Sequence, residues 1–132
     1  MNSFDIAVVT VELDHMISGH RVDNIYQLNP KTLLLSLHGK EGEHTNLVIE
    51  AARRVNATSY DFKKPSKPTG FCMLLRKFLR NGVVIKVQQY MFERIINITI
   101  SNKGELFKLI VEVFGEGNII LVSPQGKILH AM

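Results

Sequence analysis

The sequence lacks several things whose absence narrows the choices. It has one cysteine, Cys72, in 132 residues. No disulfide can close within the chain and no CxxC-type metal pattern exists, which fits a reducing compartment. There is no tryptophan and there are only four prolines, two of them inside "KKPSKPTG". No apolar run approaches the roughly 20 residues that span a bilayer, so no membrane partner is expected. The N-terminal "MNSFDIAVV" carries an acid where a signal peptide carries basic residues. A cytoplasmic protein is the expectation. No internal repeat or low-complexity tract is present. Charged residues make up only 21% of the chain against 45% hydrophobic, the balance of a folded domain with a real core.

Acids are scarce in one stretch above all. Between Arg53 and Lys86 lie nine of the sixteen basic residues and one acid, Asp61. The rest of the chain holds seven basic residues and eleven acids. The net charge of +4 therefore understates how strongly cations are concentrated, and phosphate binding depends on local density.

Hydrophobic spacing supplies the elements. In "SFDIAVVTVELDHMISG", Ile6, Val9, Leu13, Met16 and Ile17 share one helical face, with Ser3 as cap, Asp5 in the first turn and Gly19 as stop. The period then becomes two. "RVDNIYQL" sets Val22, Asn24, Tyr26 and Leu28 against Asp23, Ile25 and Gln27, and "TLLLSLHG" reads as a strand buried on both faces. "TNLVIEAA" and a short "NATSYDF" follow. "KKPSKPTG" is a loop, because its prolines exclude helix and ladder alike. It leads into "FCMLLRKFLRNG", whose Phe71, Leu74, Leu75, Phe78 and Leu79 form a helical stripe. Five strands complete the chain: "VVIKVQQYM", "RIINITIS", "LFKLIVEVF", "NIILVS" and "KILHAM". The expected class is α+β, an antiparallel sandwich or partly closed barrel of about eight strands with two helices. One domain over residues 1–132 is expected, cut from a longer protein, since the chain stops directly after an apolar strand.

Motifs for chemistry are few. "FGEGN" has two glycines but lies between strands, whereas a dinucleotide loop opens a helix. Five histidines are scattered, and "HGKEGEH" reads as a solvated hairpin tip. No nucleophile arrangement is readable, and Cys72 on its helix reads as a small hydrophobe. No catalytic residue, metal site or cofactor is expected. Two polar groups remain. Lys63, Lys64 and Lys67 lead into Arg76, Lys77 and Arg80, with Arg53 and Arg54 upstream. Composition leaves these cations two roles, solvation of a basic helix end or contact with phosphate. Glu93 and Arg94 form a charged strand corner.

The stretches "FDI" with "EL", "GHRVDNIYQ", "TLLLSL", "NLVIEAARRVNATSY", "KPSKPTGFCMLLRKFLRNG", "ERI" and "EVFGEGNIIL" together resemble the N-terminal domain of the NFACT family. That family includes the nuclear export mediator factor and the fibronectin-binding protein A-like proteins. The resemblance implies a ribosome quality-control factor. Such a protein binds large ribosomal subunits that still hold peptidyl-tRNA, and recruits tRNA to extend the stalled chain without mRNA. It implies tRNA, the large subunit and the parent's other domains as partners. It also implies a tRNA-handling role for Asp5, Glu93 and Arg94. The family pair is usually Asp-Arg, and glutamate is one methylene longer. The basic stretch from Arg53 to Arg80 then reads as an RNA-phosphate surface. The family fold is similar to that of formamidopyrimidine-DNA glycosylases, which use an N-terminal proline amine. The start Met1-Asn2-Ser3 lacks that proline, so base-excision chemistry is not expected. The alternatives are a non-catalytic DNA-binding domain of that type and a protein-adhesion module.

Overall fold

The computed structural model describes residues 2–90 and 93–132. The sequence-expected strand end at Met91 and the turn residue Phe92 lie outside these, as does Met1. Helix α1 spans Ser3–Ile17. It is capped one residue earlier than expected. Asn2 accepts from Asp5 N, and the Asp5 carboxylate accepts from Asn2 N at 3.0 Å, a reciprocal capping box. Its buried face is Ile6, Thr10, Leu13 and Ile17, with Val9 packed alongside. Thr10 can lie inside because its hydroxyl donates to Ile6 O at 2.7 Å. Met16, expected inside, points out.

Four strands follow as a meander: β1 Arg21–Asn29, β2 Thr32–His38, β3 His44–Glu50 and β4 Arg54–Thr58. Simple alternation fails in β1. A register shift at Asp23 lets Val22 and Ile25, of opposite parity, both enter the core. In β2, Leu33, Leu35 and Leu37 join the core cluster, while Leu34 is buried on the other face. There Leu34 stands beside Tyr26 of β1 and Val48 of β3. The segment 59–69 crosses this outer face. It is held by Asn46 Nδ2 donating to Tyr60 O at 2.9 Å, and by Lys64 over the Tyr26 ring.

Helix α2 spans Gly70–Leu79 and is capped by Thr69, whose hydroxyl accepts from Cys72 N at 3.1 Å. Five strands complete the chain: β5 Val83–Gln89, β6 Ile95–Asn102, β7 Glu105–Glu112, β8 Asn118–Val122 and β9 Ile128–Ala131. All neighbours are antiparallel, in the order β4-β3-β2-β1-β5-β6-β7-β8-β9. The fold class is as expected, with the short fourth strand making nine rather than eight among the described residues.

The two meanders join at the ladder pair Arg21 with Val83, the corner of the sheet, where Val22 N donates to Gly82 O and Val84 N to His20 O. Gly82 sits at this corner because a Cβ there would lie 2.8 Å from Ile100 Cγ2 and 3.0 Å from Leu79 O. The far ends of the sheet return to each other. Ala52 N donates to Glu112 O at 3.1 Å, and Gln27 Nε2 reaches Met132 Sδ at 3.4 Å. Gly117, at φ +74°, lies so close to Ala52 that a Cβ would come within 2.2 Å of its nitrogen. The two halves thus enclose one core. Helix α1 packs on β5, β4 and β6, and α2 packs on β1 and β6.

Candidate nucleic-acid interface

The basic stretch folds into a loop and a helix laid along an open strand edge. Beyond Val22, whose carbonyl accepts from Asn81 N, no strand among the described residues pairs with β1 on its α2 side, so its carbonyls need other donors. Helix α2 supplies them. Arg76 Nε donates to Ile25 O at 2.7 Å, Cys72 Sγ approaches the same oxygen at 3.3 Å, and Arg80 Nε donates to Asp23 O at 3.3 Å. Cys72 is fully buried, as a small hydrophobe. Phe71, Cys72, Leu75 and Leu79 form the buried face, with Leu74 and Phe78 partly covered.

These bonds give two of the expected RNA-facing arginines a part in the fold. Each uses one of five guanidinium donors and leaves four. Arg76 also lies over the Tyr26 ring, 5.2 Å from its centroid, with Lys64 at 5.4 Å. Tyr26 was not singled out in the sequence; alternate positions along a strand gave no sign that two cations converge there.

Part of the charge is neutralised locally. Arg53 and Arg54 share Glu50 at 3.5 and 3.1 Å, and Lys64 pairs with Asp61 at 3.0 Å. Glu50 lies just upstream of the acid-poor stretch, so counting charges from Arg53 onward misses it. Arg53 and Arg54 also sit at the start of β4, whereas the loop bearing Lys63, Lys64 and Lys67 leaves from its end. Lys63, Lys67 and Lys77 are exposed, and among the described residues none forms an ion pair.

The second group lies on two segments, Asp5 in the first turn of α1 and Glu93 with Arg94 between β5 and β6, which share one side-chain contact. The side-chain amide of Gln89 donates to Ser3 O at 3.0 Å and to Glu93 O at 2.9 Å. This ties the first turn of α1 to the corner between β5 and β6. The corner is closed by Glu93 N donating to Tyr90 O at 2.7 Å and by Val113 N donating to Arg94 O at 2.8 Å. Glu93 and Arg94 are exposed, and the Arg94 guanidinium lies 5.8 Å from the Phe114 ring centroid. Among the described residues no ion pair engages Asp5, Glu93 or Arg94. Glu93 and Arg94 thus present both signs of charge, exposed, on one corner. Gln89 was also missed. Its signal was a polar residue two positions after an inward valine, Val87.

Residues 2–132 match a family model described as NFACT N-terminal and middle domains. The chain belongs to the NFACT family. It is 33% identical over 98% of its length to the archaeal Rqc2 homolog aRqcH of Methanocaldococcus jannaschii. It is 36% identical over 99% to the ribosome quality control complex subunit NEMF homolog of Drosophila melanogaster. It spans 20% and 13% of those two proteins' own lengths. In structure it is similar to the N-terminal domain of fibronectin-binding protein PavA from Streptococcus pneumoniae, with a TM-score of 0.91 and 29% identity. That likeness covers 99% of this chain and 55% of the other. This NFACT domain holds, among its described residues, no helix long and apolar enough to cross a membrane. His38 and His44, separate in sequence, face each other across β2 and β3 with ring centroids 5.1 Å apart. Even so, the described residues of the NFACT chain contain no cluster of three or more His, Cys, Asp or Glu able to hold a metal ion.

Proposed function

We propose that this domain handles tRNA within a longer ribosome quality-control factor. In this reading the factor binds obstructed large subunits carrying peptidyl-tRNA and recruits tRNA for tailing without mRNA. The domain itself makes and breaks no bond; the ribosome supplies the peptidyl-transfer site. The observation that carries the reading is that Glu93 and Arg94 stand exposed, without ion pairs among the described residues, on a corner tied through Gln89 to the helical turn that carries Asp5. A planar guanidinium there can grip a phosphate or base edge. An adjacent carboxylate can accept from a ribose hydroxyl, the group that distinguishes RNA. Lys63, Lys67 and Lys77 add backbone attraction without sequence reading. The fly relative's name, a ribosome quality control complex subunit, supports the reading.

The test is titration of tRNA against the chain at several salt concentrations, with wild type beside Arg94→Ala. The reading expects affinity that falls steeply with salt and is weakened by the substitution. Equal binding by a folded Arg94→Ala chain would remove the corner from the interface. A second reading, adhesion, has the name of the Streptococcus pneumoniae protein in its favour. Saturable binding to immobilised fibronectin, together with no tRNA binding, would favour it.

A further inference from the structure

Gln89 sits on the inward side of β5, following the buried Val87. A polar side chain in that position is costly unless its amide finds partners. The amide nitrogen carries two hydrogens, so it can donate to Ser3 O and Glu93 O at once. One acceptor lies two residues before Asp5. The other is the carbonyl of Glu93 itself, next to Arg94. Gln89 is thus a polar link between the turn that carries Asp5 and the corner that carries Glu93 and Arg94.

A second polar tie joins α1 to β5 much further along the helix, where Asp14 Oδ1 accepts from Val87 N at 2.7 Å. The apolar face of α1, from Ile6 to Ile17, is buried independently of either tie. Loss of the Gln89 bonds therefore leaves α1 docked. What it loosens is the tie between the Ser3 carbonyl and the corner.

We propose that Gln89 is a positioning residue for the RNA-handling corner, fixing Asp5 relative to Glu93 and Arg94. This rests on the reading of that corner given above. Recognition of folded RNA by shape and backbone needs its donors and acceptors at fixed separations. A side chain that touches no RNA can thus control how the corner grips it.

The test uses Gln89→Met, which keeps length and volume but has no donor, and Gln89→Glu, whose carboxylate would face two carbonyl oxygens. Each is placed in the full-length factor, beside Arg94→Ala and the double variant Gln89→Met/Arg94→Ala. Recruitment of tRNA to stalled large subunits is expected to fall about tenfold in Gln89→Met and further in Gln89→Glu, since small misplacements of a binding group cost factors of this order. The double variant should be no worse than Arg94→Ala alone, the non-additivity of residues acting as one unit. A simple loss of stability would not produce that pattern. Wild-type recruitment by Gln89→Met alongside a defective Arg94→Ala would overturn the role of Gln89 and leave the reading of the corner standing. If Arg94→Ala recruits normally, the reading itself falls. Amide exchange then decides the link: faster exchange in the first turn of α1 and at Glu93–Arg94 in Gln89→Met supports it, and unchanged exchange overturns it.

Discussion

The Asp5 carboxylate accepts the Asn2 main-chain N–H at 3.0 Å, so replacing it by alanine removes a helix cap as well as a charge. The sequence alone presented Asp5 as a free acid near a helix dipole. The capping box became visible only once Asn2, rather than Ser3, was seen to start the helix. Asp5→Ala should cost about 0.5–1 kcal/mol in thermal melts through the lost cap and dipole interaction. Asp5→Asn retains an oxygen acceptor for Asn2 and should be the milder of the two. In tRNA recruitment by the full-length factor, both should be equally defective if the charge is what matters. Recruitment by Asp5→Asn at the wild-type level would assign Asp5 to the helix cap alone. Arg94→Lys makes the parallel point. It keeps the charge but loses the planar fork, and should recover little of what Arg94→Ala loses.

At the scale of elements, α2 divides its cations by role. Arg76 supplies the β1 edge with a donor at 2.7 Å, and Arg76→Ala should destabilise by about 1–3 kcal/mol by leaving the Ile25 carbonyl with only the weak Cys72 thiol as donor. Lys77→Ala, one residue on and exposed, should stay within about 0.5 kcal/mol. Urea midpoints of the two variants check this, and equal midpoints would contradict it. Replacing Lys63, Lys67 and Lys77 together should preserve the fold and flatten the salt dependence of tRNA binding by about two to three in the log–log slope. The sequence carried the amphipathic stripe of α2, the doubly buried β2 and the turn-bounded strands, because burial is written in side-chain period. It did not carry the bulge at Asp23, which shifts the phase of β1 by one residue without changing composition. Nor did it carry the pairing of Arg53 and Arg54 with Glu50, which depends on a turn closing over three residues.

At the scale of the molecule, closure of the sheet brings distant segments together. Gly117 packs against Ala52 at positive φ, so Gly117→Ala should strain both backbone and contact and cost more than about 1 kcal/mol in urea unfolding. A neutral result would mean that the returning turn tolerates displacement. The joining of Asp5 to Glu93 and Arg94 was the feature least legible in the sequence. Asp5 and the Glu93–Arg94 pair lie about two-thirds of the chain apart in sequence, and a glutamine amide bridges Ser3 O and Glu93 O. Tail synthesis on stalled large subunits tests whether the three residues act together on tRNA. The full-length factor carrying Arg94→Ala would be assayed for tail extension and for co-sedimentation with large subunits in the same reactions. The account predicts that tail extension is lost while co-sedimentation persists. Full tail extension by Arg94→Ala would contradict it.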